Sequence, residues 1–248
     1  AETGTGIEEL KAVIAEAARV QEPEKRLVAD LIRPSDLVVL VIPIDKAAPK
    51  GRLILPQQQV IRELLDVGVR MLVVRDDRLG DALDRIGEKP ALVITDSQVF
   101  REVSKITPKE VYLTSFSILF ARYKGDLKHT VQGARVLKTI KDGDNILISE
   151  GCTHRRQCGD IGTEKLPEWI RNYTGKSPEF SFTSGTEFPQ DLSPYRLIVH
   201  CGGCMLNEKE MRYRYACAQR QGIPMTNYGI LIAFIHGILE RSLEIFEV

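Results

Sequence analysis

The chain has 248 residues, with 34 basic and 34 acidic side chains and a formal net charge of zero. That balance argues against nucleic-acid binding through bulk electrostatics, which needs a basic excess or stripe. Its 43% hydrophobic and 27% charged residues mark an ordinary globular chain, and five cysteines are too dilute for a disulfide scaffold.

The first segment, 6–18, reads as a helix, with Ile7, Leu10, Val13, Ile14 and Ala17 on one face. A lone amphipathic helix cannot bury its own stripe, so it belongs to something upstream or docks on the strands and helices after it. From Asp36 the pattern becomes strand, helix, strand. Residues 37–42 form a near-continuous apolar, β-branched run, as expected of a strand buried on both faces. Pro56 leads into a helical stripe (Val60, Ile61, Leu64, Leu65) that stops at Gly68. Strands are expected at 69–74, 91–95 and 111–114, and helices at 81–86, 97–103 and 118–123. The turn Lys124-Gly125-Asp126 is the candidate boundary.

The second half repeats the rhythm. Helices are expected at 127–140, 166–173, 209–221 and 229–246, and strands at 145–149, 179–182, 197–199 and 223–226. Alternation at this pace implies an α/β fold of two small domains, each a parallel sheet flanked by helices. The expected division is 1–25 as a leading helix and linker, 26–125 as the first domain and 126–248 as the second.

No addressing signal is visible. The start, Ala1 to Gly4, lacks a basic region followed by an apolar core, and it lacks Met, so the chain reads as a fragment. The longest apolar run near the end, 230–235, falls far short of the roughly 20 residues a membrane span needs. The expectation is a cytoplasmic protein with reduced thiols and no membrane association.

The cysteines are not scattered. Cys152 follows the strand ending at Ser149, and His200-Cys201-Gly202-Gly203-Cys204 follows the strand ending at Val199. Ligands collect at the carboxyl ends of strands in open parallel sheets, so the two loops can converge. The glycines allow both thiolates of the Cys-x-x-Cys to reach one centre. Zinc would take Cys152, Cys201 and Cys204 with His154, His200 or Cys158 as fourth ligand. An iron–sulfur cluster would take the same three thiolates and leave one iron with an exchangeable ligand. A redox dithiol is the third option, although the Gly-Gly is unusual for one.

Cys152-Thr153-His154, 45 intervening residues and His200-Cys201-Gly202-Gly203-Cys204 together resemble the metal-site signature of the [FeFe]-hydrogenase maturation GTPase family, HydF. Asp160-Ile161-Gly162, Phe188-Pro189-Gln190-Asp191-Leu192 and Pro224-Met225-Thr226-Asn227-Tyr228-Gly229 agree with it. The similarity runs back through Leu92 to Ser97 and Tyr112 to Leu119, nearly the whole chain. The family has a GTPase, a dimerisation domain and a cluster domain. Here no Gly-x-x-x-x-Gly-Lys-[Ser/Thr] phosphate loop occurs, since Gly175-Lys176-Ser177 has Ile170 in the first glycine position. Thr3 to Leu10 resembles the closing loop and last helix of such a GTPase, so 1–25 is expected to be its remnant, with no GTP bound and no enzymatic turnover in this chain.

The resemblance implies a homodimeric scaffold. It would bind a [4Fe–4S] cluster through Cys152, Cys201 and Cys204, receive a diiron precursor from partner radical-enzyme maturases, and deliver it to apo-[FeFe]-hydrogenase. His154 and His200 are expected to sit around the cluster, donating hydrogen bonds to sulfur or cargo. Arg155-Arg156-Gln157-Cys158-Gly159 departs from the family pattern, and Cys158 or Asp160 is the candidate fourth ligand. Arg155 and Arg156 would attract anionic cargo or lie in a solvated loop. Asn227 and Tyr228 open a helix whose N–H groups would face the cluster, although plain capping explains Asn227 equally well. Cys217, between Ala216 and Ala218, reads as a packing residue. A zinc-stabilised interaction module and a Cys-x-x-Cys thiol-redox protein remain the alternatives.

Overall fold

A computed structural model describes residues 6–19, 25–44, 53–151 and 160–246. It contains two four-stranded sheets, and every strand pair in both is parallel.

The first sheet is built from β1 (Leu37–Val41), β2 (Arg70–Val74), β3 (Leu92–Thr95) and β4 (Tyr112–Ser115), in the order β2-β1-β3-β4. The second is built from β5 (Asn145–Ser149), β6 (Glu179–Thr183), β7 (Leu197–His200) and β8 (Met225–Asn227), in the order β6-β5-β7-β8. The two orders are the same pattern. The chain leaves its first strand to one side, then returns and adds its last two strands on the other. This puts a change of winding direction between β1 and β3 and again between β5 and β7, the place where such sheets hold ligands.

The burial pattern explains the sequence pattern. All residues of β1, β3 and β7 are buried, as a strand covered by helices on both faces requires. Edge strands β2 and β6 are only partly buried. The helices are α1 (Ile7–Arg19), α2 (Leu55–Asp66), α3 (Leu79–Arg85), α4 (Phe100–Ile106) and α5 (Phe116–Lys124). They continue with α6 (Leu127–Arg135), α7 (Leu166–Thr174), α8 (Glu208–Arg220), α9 (Tyr228–Ile235) and α10 (Leu239–Leu243). Pro56 near the start of α2 places its missing N–H where no intrahelical partner exists. Gly68, with φ 70°, ends the turn after that helix.

Three expected helices differ. The segment 229–246 is two helices, because Gly237 takes φ 71° and reverses the chain. Its N–H bonds Phe234 O at 3.0 Å and the Ile238 N–H bonds Ala233 O at 2.9 Å, the paired closure of a left-handed helix end. The segment 127–140 ends its α-helix at Arg135 and tightens into a 3-10 turn over Val136–Thr139. The segment 97–103 starts as a 3-10 turn, Ser97–Val99, and continues as α4. A π-helical turn, Ile161–Lys165, carries no periodic signal in the sequence. Helix α1 forms, but its stripe does not dock among the described residues: Leu10 is 58% exposed and Val13 61%.

One apolar core joins the two sheets. It runs from Leu27 and β1 through α5 and α6 to Ile230, Leu231 and Ala233 of α9 and Phe246. Helix α9 is apolar all round and lies between the sheets, touching α5 on one side and β7 and α7 on the other. Each fully buried Ile or Leu there contributes roughly 1.5–3 kcal/mol. Polar clamps fix the arrangement. The Asn227 side chain accepts from Ile230 N at 2.8 Å, capping α9, and its Nδ2 donates to Ser117 O at 3.1 Å. Arg241 of α10 donates to Ser104 O (2.6 Å), Thr107 O (2.8 Å) and Pro108 O (2.7 Å), satisfying carbonyls at the end of α4. The carboxyl ends of β4 and β8 therefore face one another across Ser117 and Asn227.

Candidate metal centre

The two cysteine loops leave neighbouring strands. β5 and β7 pair in register, Ser149 opposite His200, and the ladder extends one step further as Cys201 N donates to Ser149 O at 2.9 Å. Gly151 then lies against Cys201. Its N–H donates to Cys201 Sγ at 3.0 Å, and a Cβ on it would come within 2.7 Å of Leu206 Cδ1. Cys152, His154, Arg155, Arg156 and Cys158, the next part of the sequence, lie outside the described residues.

After Cys201 the chain turns sharply. Gly203 takes φ 60°, and a Cβ there would sit 2.6 Å from Met211 Sδ. Glycine is required on both counts. The Gly203 N–H points back to Cys201 Sγ at 3.4 Å, so this sulfur accepts from two backbone amides. A Cβ on Gly202 would meet no described atom within 4 Å, so the loop is open on that side. Cys201 and Cys204 are half-buried. Helix α8 begins only at Glu208, capped by Asn207 Oδ1. A thioredoxin-like dithiol would open the helix directly, and this loop does not.

His200 lies beneath the loop, fully buried. Nδ1 donates to Cys201 O at 2.7 Å, and Nε2 accepts from Arg214 Nη1 at 3.0 Å. Both ring nitrogens are thus used on protein groups: the ring holds the loop's backbone and is not turned towards a sulfur. Burial drives its pKa down to about 4, the neighbouring Arg214 cation adds to the effect, and the Cys201 carbonyl opposes it. Arg214 is itself fully buried. It donates to Glu210 Oε1 (2.7 Å) and Gly185 O (3.0 Å) and lies 5.0 Å from the centre of the Phe188 ring.

An acidic and phenolic pair lies within electrostatic reach of Cys201. Glu150, 4% exposed, follows β5, and the Tyr228 hydroxyl donates to its Oε1 at 3.4 Å. Burial raises the Tyr228 pKa well above its ordinary value, and negative charge on Glu150, Cys201 and Asp160 adds to the shift. Gly162 makes room for the pair: a Cβ there would be 2.4 Å from the Tyr228 oxygen and 2.6 Å from Glu150 Oε1. Asp160 caps the π-helical turn, its Oδ2 accepting from Thr163 N and Thr163 Oγ1, each at 2.9 Å. Asn227 is committed to its cap and to Ser117, so capping accounts for it.

Residues 27–125 match the hydrogen maturase F dimerization domain, and residues 128–245 match the hydrogen maturase F tetramerization domain. The chain belongs to the hydrogen maturase F family. Hydrogen maturase F domains thus span both sheets, and the resemblance read from the cysteine signature is confirmed at the level of the family. No curated protein matches the chain. Among solved structures, a crystal structure titled as a LacI-family transcription regulation repressor from Corynebacterium glutamicum is 11% identical. It covers 84% of this chain and 88% of its own, and its TM-score of 0.25 supports no argument.

The donor chemistry fits a metal–sulfur group. A thiolate ligand is stabilised by N–H···S bonds, and Cys201 receives two. Among the described residues alone no cluster of three His, Cys, Asp or Glu side chains forms a metal site, so further donors would come from the 152–158 segment. No helix among the described residues is long and apolar enough to cross a membrane.

Three participants do not stand out in the sequence as site residues. Arg214 sits in a helix whose charges read as a solvated face, and Lys124, whose ammonium bonds the Gly203, Cys204 and Leu206 carbonyls, falls in the turn read as a boundary. Glu150 alone of the three offers a cue, a carboxylate directly after an apolar strand and before Gly-Cys.

Proposed function

We propose that this chain is an oligomeric scaffold of hydrogenase maturation. In this reading it binds a [4Fe–4S] cluster through Cys152, Cys201 and Cys204, receives a diiron precursor from radical-enzyme maturases, and delivers it to apo-[FeFe]-hydrogenase. The observation that carries the reading is the Cys201 sulfur, held between the amides of Gly151 and Gly203 at the change of winding between β5 and β7. The bound cluster would supply an iron–sulfur surface with one iron not fixed by cysteine, a place for cargo or an exchangeable ligand to attach.

The chain's own residues prepare that place. His200 and Arg214 fix the Cys201 carbonyl from below. Gly151 keeps the β5 loop close to the sulfur. Asp160 and Cys158 remain the candidates for the fourth position, with His154, Arg155 and Tyr228 around it. None of these groups needs to turn over a substrate, which agrees with a carrier.

Oligomer formation follows from the two family domains. β2 is an outer strand of the first sheet with no described strand beyond it, and Val73 on it is 47% exposed. An open parallel edge of this kind supports β2 as the strand that pairs between copies.

Anaerobic reconstitution with iron and sulfide tests the cluster. The expected product is brown, with about four irons per chain by the stoichiometry of a [4Fe–4S] cube and an EPR signal on reduction. A colourless protein with one tightly held zinc would overturn the reading in favour of a structural zinc module. A metal-free chain cycling between dithiol and disulfide would overturn it in favour of thiol redox.

A further inference from the structure

Lys124 ends α5, an element of the first sheet's half, yet its ammonium is buried in the cysteine loop of the second. The residue is 7% exposed. Nζ donates to Gly203 O at 2.9 Å, Cys204 O at 3.2 Å and Leu206 O at 2.8 Å. An ammonium has three N–H donors, and these carbonyls take all of them. The Gly203 carbonyl also accepts from Leu206 N at 3.1 Å, so the ammonium sits at the centre of a closed turn. The Phe120 ring packs against the charge at 5.4 Å.

This arrangement has two physical effects. Drawing the carbonyls of 203, 204 and 206 inward turns the loop around the ammonium, while the Gly203 N–H faces Cys201 Sγ. It also sets a buried positive charge directly behind the two cysteines, with neutral carbonyls as its hydrogen-bond partners. A buried charge interacts strongly with whatever negative charge the sulfurs carry.

We infer that Lys124 is a positioning residue for the Cys201–Leu206 loop, through which the first sheet's half shapes the metal-binding loop and biases it towards negative charge. The part concerning bound metal rests on the cluster reading above; the part concerning the loop does not.

The test uses the full chain, unaltered and as Lys124→Met and Lys124→Arg. Hydrogen exchange on the metal-free protein reads the loop, and redox titration after reconstitution reads the charge. In Lys124→Met, exchange across 203–206 should rise about tenfold or more as the carbonyl anchors go. Exchange in β5 and β7 should stay as it was. The reconstituted cluster should titrate at a more negative potential, because a positive charge favours the reduced form. Lys124→Arg keeps the charge on a planar group that cannot cap three converging carbonyls. It should loosen the loop while leaving the potential near that of the unaltered protein. Unchanged exchange and unchanged potential in Lys124→Met would overturn the inference. Should Lys124→Met fail to fold, Lys124→Arg decides the loop, and unchanged exchange there overturns the inference. The unaltered chain provides a test without any variant: a Leu206 amide exchanging at the free-peptide rate would also overturn it. Failure of the unaltered chain to take up iron and sulfide would sink the cluster reading alone, and the exchange data would still judge Lys124.

Discussion

The Gly151 N–H and the Cys201 sulfur are 3.0 Å apart, which makes the start of one cysteine loop a hydrogen-bond donor to the other. The sulfur is therefore held by the residue two beyond the end of β5. Cys201→Ala removes that sulfur. The reconstituted variant should lose the visible absorption and the EPR signal. Cys217, buried in α8 in a second apolar cluster with Leu147, Ile198, Met211 and Ala218, should tolerate Ala with a full cluster and a loss of about 1 kcal/mol. Iron and sulfide analysis of both variants checks this, and a Cys201→Ala protein with the normal spectrum would refute the assignment.

His200 makes the metal-free chain sensitive to acid. Its pKa is about 4 in the fold against 6.5 for a free histidine, so between those values the unfolded chain binds the extra proton. Stability from this group is full above pH 6.5 and declines as pH falls towards 4. At 1.36 kcal/mol per pH unit the 2.5-unit gap sets a ceiling of about 3 kcal/mol. Urea melts of metal-free protein at pH 7, 5.5 and 4.5 should show the decline, and His200→Asn should flatten it. Equal slopes in the two proteins would assign the acid sensitivity elsewhere.

Gly229 is a tight approach between the first sheet's half and α9. A Cβ on it would lie 2.2 Å from Ser117 Cβ and 2.8 Å from Ser97 Oγ. Gly229→Ala should cost about 1–3 kcal/mol, as overpacking does. Gly133→Ala should cost more, because its Cβ would lie 2.2 Å from the Met225 carbonyl oxygen, which is backbone and cannot rotate away. Gly202→Ala, with no described atom within 4 Å, should stay within about 0.5 kcal/mol. Chemical denaturation of the three variants orders them, and a reversed order would mean the sheets pack differently.

The oligomer edge is tested at Val73. Val74 O accepts from Ile42 N, so Val74 faces β1 and its neighbour Val73 turns its backbone N–H outward. Val73→Pro removes that donor without breaking the internal ladder. It should shift the chain towards smaller species in sedimentation, while Val73→Ala should not. An unaltered oligomer in Val73→Pro would place the pairing edge somewhere other than β2.

Much of this was legible in the chain itself. Residues 145–149 form a strand in both readings, because an apolar run stands between Asp-Gly-Asp and Glu-Gly. The position of Cys201 at a strand's carboxyl end followed from the same patterning. Asn227 as a cap was visible three residues before Ile230. What the pattern hid is long-range or stereochemical. Lys124 acts on carbonyls 79 to 82 residues away, and no local spacing encodes that. Gly237 breaks the last helix inside a stretch that is apolar on both sides, so periodicity ran straight through it. The π-helical turn at Ile161–Lys165 fits Gly162 beneath Tyr228 and Glu150, a contact between distant segments.

The two sheets wind alike, so the fold offers the same kind of crevice twice. In the first sheet the carboxyl ends of β3 and β4, beside that crevice, are stoppered: α9 enters with Gly229 against Ser97 and Ser117. In the second sheet the crevice between β5 and β7 holds the Cys-Gly-Gly-Cys loop, with no described atom within 4 Å of a Cβ on Gly202. One sheet thus spends its carboxyl end as a socket for the rest of the chain, and the other keeps an open loop at its own.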